Sequence, residues 1–167
     1  GTALAGGGEF PKAREVFRAL VDDLEASASE RQRDLEHLSW LALGRVAYEQ
    51  GKLEEAIDLY QRLPRSSPHF DRALYELTWV LVSQKNYKKA LRNADIFLYL
   101  SNPDPTFIPE IKLLKADLQL RLEQFQEATV SYRAVIGQFK PVRRRVNDFM
   151  AEQADVGAFF TKLVEEE

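Results

Sequence analysis

The chain has 167 residues, 45% hydrophobic and 29% charged, with a net charge of −3, which suits one globular domain with its own core. That balance excludes an overall positive field drawing the chain to nucleic acid or lipid, and the longest basic run, Arg143-Arg144-Arg145, is too short to change this. The absence of cysteine excludes disulfides and thiolate metal sites, and no stretch approaches the ~20 apolar residues of a membrane span.

Taken in chain order, residues 1–9 read as the remnant of a preceding helix, Ala3-Leu4-Ala5, followed by a glycine turn, Gly6-Gly7-Gly8. No Gly-Lys-Ser/Thr follows, so the glycines do not make a phosphate loop. The chain opens Gly1-Thr2 rather than on methionine, which reads as a cut or processed product, and the natural protein is expected to extend upstream. Apolar periodicity then predicts a lone helix over 10–26 and three helix pairs, 29–50 with 53–63, 68–84 with 87–100, and 105–122 with 125–139. Gly51, Asn86 and Glu123-Gln124 mark the tight turns within the pairs. Ser27 with Glu30 forms a capping-box pattern, and Asp104-Pro105 reads as an N-cap followed by proline in the first turn. Val142, Val146, Phe149, Val156, Phe160 and Leu163 predict a helix over 140–167, packed on the last pair as a cap, with Gly157 as a candidate break.

The second helices repeat one another. Ala13, Ala56, Ala90 and Ala128 align, each three residues after Phe10, Leu53, Tyr87 or Phe125 and four before Phe17, Tyr60, Ala94 or Tyr132. The alanines are 43, 34 and 38 residues apart. In the best copy Trp40, Leu43, Gly44, Ala56, Tyr60 and Pro68 stand in order. This arrangement resembles the tetratricopeptide repeat family, whose period is about 34 residues. Only the tyrosine usual three residues after the glycine is missing; Ala47 stands there, with Tyr48 next door. The resemblance implies an all-α, right-handed α-solenoid of antiparallel helix pairs. It covers an array over 10–139: a half repeat at 10–26 and full repeats at about 29–63, 68–100 and 105–139. Gly44 with Ala56, Thr78 with Ala90 and Ala116 with Ala128 are the small residues expected to let paired helices approach. In the third repeat Lys112 and Lys115 depart from the pattern, standing where large apolar residues are expected.

The resemblance also implies a binding role. In such solenoids the first helix of each pair lines a concave groove for a partner peptide or amphipathic helix. Carried onto this chain, that face holds Leu41, Arg45 and Tyr48, then Arg72, Tyr75, Trp79 and Val82, then Leu113, Asp117, Leu120 and Arg121. Trp79 reads equally as a groove anchor or a core residue, whereas Trp40 matches the family's packing tryptophan. A subgroup of the family grips chaperone carboxylates with lysines and asparagines. The corresponding places here hold Leu41, Arg45, Glu76, Glu110 and Leu114, so an apolar or helical ligand is expected instead.

No motif with a catalytic mechanism is present. His37 and His69 lack metal-ligand spacing, and no cofactor motif is found. The expectation is therefore a non-enzymatic scaffold that binds another protein, with no cofactor, no nucleic acid and no insertion into membrane. The competing expectation is a spacer or weak self-assembly module that joins copies through the front half repeat or through Phe159 and Phe160. The stretches 67–80 and 107–125 loosely resemble bacterial multi-repeat scaffolds of the cell envelope or motility complexes. That likeness implies a periplasmic or envelope setting, with the cytoplasm as the alternative.

Overall fold

The computed structural model describes residues 8–24, 30–100 and 103–165, and side chains for these except 23, 24, 30 and 152–165. The described residues form seven helices and no strand: α1 (Phe10–Leu24), α2 (Glu30–Glu49), α3 (Leu53–Gln61), α4 (Phe70–Ser83), α5 (Tyr87–Leu98), α6 (Ile108–Arg121) and α7 (Phe125–Glu165). Each helix packs chiefly on the next in sequence, from α1 on α2 through α6 on α7. This nearest-neighbour pattern defines an all-α repeat solenoid. None of the helices is long and apolar enough to cross a membrane.

The three turns inside the pairs share one device. Gly51, Lys85 and Glu123 have φ values of 72°, 60° and 61°, the left-handed conformation that ends a helix. At each, two amides fold back onto the preceding helix. Gly51 and Lys52 donate to Tyr48 and Ala47, Lys85 and Asn86 to Val82 and Leu81, and Glu123 and Gln124 to Leu120 and Gln119, all at 2.9–3.0 Å. The Asn86 side chain then caps α5 by accepting from the Lys89 amide at 3.4 Å. One chain reversal thus satisfies the loose carbonyls of the outgoing helix and, at Asn86, a loose amide of the incoming one.

Small residues set the helix spacing. Ala13, Ala56 and Ala90 are fully buried, and Ala128 nearly so, as are Thr78 and Ala116. Around them pack Leu41, Leu74, Leu77, Phe97, Ile111 and Leu118. Gly44 does not chiefly face Ala56, as the sequence implies. A Cβ added there would lie 2.8 Å from the Tyr60 ring. The glycine makes room for that aromatic, which is itself buried. Asn93 carries the polar tie between α4 and α5, donating to the Leu74 carbonyl at 2.7 Å and to Thr78 Oγ1 at 2.8 Å.

The third pair differs from expectation in its start. Helix α6 begins at Ile108, not at Pro105. Asp104 instead closes a turn, accepting the Thr106 amide on its carboxylate at 2.8 Å and the Phe107 amide on its carbonyl at 3.2 Å. That amide bond holds the Asp104 carboxyl below its ordinary pKa. Along α6 the buried positions are Ile111, Leu114 and Leu118. Lys112 and Lys115 sit at the edge, bonded to Gln138 and Asp95 at 2.7 Å.

The tail departs most. The helix that starts at Phe125 runs unbroken through Pro141 and Gly157 to Glu165, 41 residues and roughly 60 Å. No break therefore separates the last repeat from residues 140–165. Nor does this segment cap the array where its side chains are described. Residues 140–151 are all exposed, including Val142, Val146, Phe149 and Met150. Pro141 lacks the amide that would bond the Gly137 carbonyl, yet its fixed φ suits a helix, and the helix continues without that one bond. Phe159 and Phe160, the Ser27–Glu30 capping pattern and residues 1–7 of the expected remnant lie outside the described side chains or residues.

Candidate protein-docking groove

Helices α2, α4 and α6, the first members of the three pairs, run parallel along one face. Three cross-links fix their alignment. Arg45 meets Glu76, Tyr48 Oη lies 2.9 Å from Ser83 Oγ, and Tyr75 Oη donates to Glu110 at 2.6 Å. Between α2, α4 and the facing side of α1 lies a groove of about 800 Å³. Helix α1 supplies Phe10 and Phe17. Helix α2 supplies Ala42, Arg45, Val46, Tyr48 and Glu49, and α4 supplies Tyr75, Glu76, Trp79 and Val80. Tyr60 of α3 and Glu110 of α6 complete the lining. Its size and largely apolar, aromatic lining are those of a recognition site.

A polar network stiffens the floor. Glu76, mostly buried, takes two bonds from Arg45: Nε donates to Oε2 at 2.7 Å and Nη2 donates to Oε1. Tyr60 Oη donates to the same carboxylate at 3.0 Å, and Arg72 Nε at 3.2 Å. The bidentate bond to Glu76 raises the Arg45 pKa above its ordinary value. Burial first, then the adjacent Glu76 charge, pushes the Tyr60 hydroxyl well above the usual tyrosine range. Tyr75 stacks on Phe107 with ring centroids 4.2 Å apart, and its hydroxyl is pushed up to about 12 by burial and by the Glu110 carboxylate. These bonds and stacks hold the rings and charges in fixed positions.

Of the residues the sequence assigns to the groove, Arg45, Tyr48, Tyr75 and Trp79 line it. Trp79 is half-buried and also touches the core, so its two readings are joined in one residue. Leu41 is a correction. At 1% exposure it is core, part of the main hydrophobic cluster, because the inward face of α2 is wider than a single stripe and also buries Leu43, Val46 and Ala47. Arg72 is exposed and spent on Glu76, while Val82 is half-buried against the core; neither lines the groove. Leu113 and Leu120 of α6 are exposed outside it, and Asp117 pairs with Arg121 at 2.6 Å. Arg121 also lies over the Tyr87 ring, 5.3 Å from its centroid. Sequence reasoning missed Phe10, Phe17, Ala42, Val46, Glu49, Tyr60 and Val80. The first two belong to the half repeat, and the alignment of Phe10 and Phe17 with the other second helices was the signal available.

The histidines take structural places. His69 Nε2 lies 2.9 Å from Asp34 Oδ1, tying the approach to α4 to α2, and the His37 ring sits 5.9 Å from Trp40. Trp40 packs against the core away from the groove. Among the described residues no three metal-ligating side chains converge.

Helix pairs stacked along the chain with small residues at their crossings define a helical-repeat solenoid. The model of the tetratricopeptide repeat family matches residues 1–69 and 41–95, and the chain belongs to that family. A crystal structure of kinesin light chain-type TPR-like repeats from Podosopora anserina shares this fold, with a TM-score of 0.65 at 17% identity. The match covers 86% of this chain and 73% of that one. No curated protein sequence matches the chain. Neither match points to a bacterial envelope or motility complex, so that expected setting gains no support from them.

Proposed function

We propose that this chain is a non-catalytic protein-interaction scaffold that docks a peptide or amphipathic helix of a partner in the groove between α1, α2 and α4. The observation that carries the reading is the groove itself, where Phe10, Phe17, Tyr48, Tyr75 and Trp79 surround the Arg45–Glu76–Tyr60 network. Aromatic residues and arginine on a pre-ordered surface are typical anchors of binding energy. The proposed organisation is an array from α1 to the first half of α7, followed by an overhang of α7.

The test is a cross-linking pull-down with the full-length protein, comparing wild type with the Tyr75→Ala, Trp79→Ala pair. Loss of partner recovery with unchanged helical content supports the groove. Equal recovery with intact folding sinks it. A second reading, self-assembly, is favoured by exposed Val142, Val146, Phe149 and Met150, which recur at helical spacing on the α7 overhang. Light scattering separates the two: a monomer mass unchanged across concentration removes self-assembly.

A further inference from the structure

We infer that the groove selects a partner segment that is apolar on one side and basic on its flanks. The inference rests on the reading of the groove as a docking site and adds the chemistry of what docks. The charges of the groove are unevenly committed. The guanidiniums of Arg45 and Arg72 both bind Glu76, so neither is free to receive an acidic ligand. Glu49 and Glu110 also line the groove, and among the described residues neither meets a cation. Glu110 holds only the neutral hydroxyl of Tyr75.

The two carboxylates stand at different ends of the site. Glu49 is the last residue of α2 and Glu110 the third of α6. Since α2, α4 and α6 run parallel, the two lie diagonally across the groove with Trp79 and Tyr75 between. Glu49 also sits at a helix C-terminus, where the backbone carbonyls favour a cation, and the last turn of α2 supplies none. A lysine or arginine on the partner would answer both Glu49 and the negative end of the α2 dipole. The exposed faces of Tyr48 and Trp79 attract the same charge, and an apolar stripe would cover Phe10 and Phe17. An acidic segment would instead meet three carboxylates whose nearby guanidiniums are already engaged.

The test uses two fluorescein-labelled model amphipathic helices with the same apolar face, one of leucine and lysine and one of leucine and glutamate. Their binding to the full chain is read by anisotropy at physiological ionic strength, where diffuse attraction is screened beyond about 8 Å. The leucine–lysine helix is expected to bind and the leucine–glutamate helix not to. Glu49→Lys with Glu110→Lys is expected to weaken the basic helix by at least about fivefold, while Glu127→Lys, outside the groove, changes it less than about twofold. Circular dichroism checks that each variant folds. Absence of binding by the basic helix, equal binding of both helices, or equal weakening by Glu127→Lys overturns the inference. Trp79→Ala separates this failure from that of the docking reading. If it abolishes capture of both helices while the charge reversals do nothing, the groove stands and the basic preference falls. If it also does nothing, both fall.

Discussion

Gly44 and Tyr60 show how one residue sets the spacing of a pair. The Tyr60 ring is nearly fully buried and its hydroxyl is tied to Glu76, so it cannot swing away from a new methyl. Gly44→Ala gains helix propensity but forces overpacking, and a net loss of about 1–2 kcal/mol is expected by urea denaturation. Tyr60→Leu in the same chain should make Gly44→Ala neutral or stabilising. Glu76→Gln, which keeps shape but removes the charge shared by Arg45 and Arg72, is expected to cost about 1–3 kcal/mol. Tyr75 gives a pH signature. Its hydroxyl ionises near 12 in the fold against an ordinary 10.0, so the fold favours the protonated form. That contribution is fully present below pH 10 and is lost as pH rises through 12. The thermal midpoint should therefore fall less over that interval in Tyr75→Phe than in wild type. The small residues at the crossings were legible in the sequence, since each stands at the same place in every copy. The Gly44–Tyr60 contact was not, because the register of one helix against another depends on side-chain shapes across the pair.

At the scale of elements, the turns and the last helix carry the consequences. Gly51 adopts its left-handed conformation freely, whereas Lys85 and Glu123 do so with a side chain attached. Relief of that strain predicts a gain of up to about 1 kcal/mol for Glu123→Gly, measured by chemical denaturation. In α7, Pro141 leaves one carbonyl without its bond. Amide exchange should thus be faster beyond Pro141 than over Phe125–Gly137, and Pro141→Ala should slow it. Uniform protection along α7 in the wild type would contradict the exposed overhang. The helix pairs were readable from periodicity and turn residues to within a few positions. The unbroken α7 was not, because proline and glycine ordinarily signal a stop and only the tertiary surroundings decide whether a helix continues. Asp104-Pro105 misled for a similar reason: the Thr106 amide that would begin a helix is consumed by a local turn.

For the whole molecule, packing between successive helices leaves a face built from α2, α4 and α6 with α1 closing one side. The part of the groove on the first helices of each pair was legible: Arg45, Tyr48, Tyr75 and Trp79 follow from the repeat pattern. Phe10 and Phe17 were not, because they enter from a neighbouring second helix that only the folded chain brings alongside. The Arg45–Glu76 cross-link was likewise invisible, since residues 31 apart share no local pattern, whereas Arg72 and Glu76 form an i,i+4 pair on one helix. The central claim is that partners dock in this groove rather than on the α7 overhang. It is tested most directly by placing a photo-cross-linking benzoylphenylalanine at Tyr48 or at Phe149 in the full-length protein. Docking in the groove gives strong partner cross-links from Tyr48 and background levels from Phe149; the reverse pattern would put the partner on the overhang and overturn the groove.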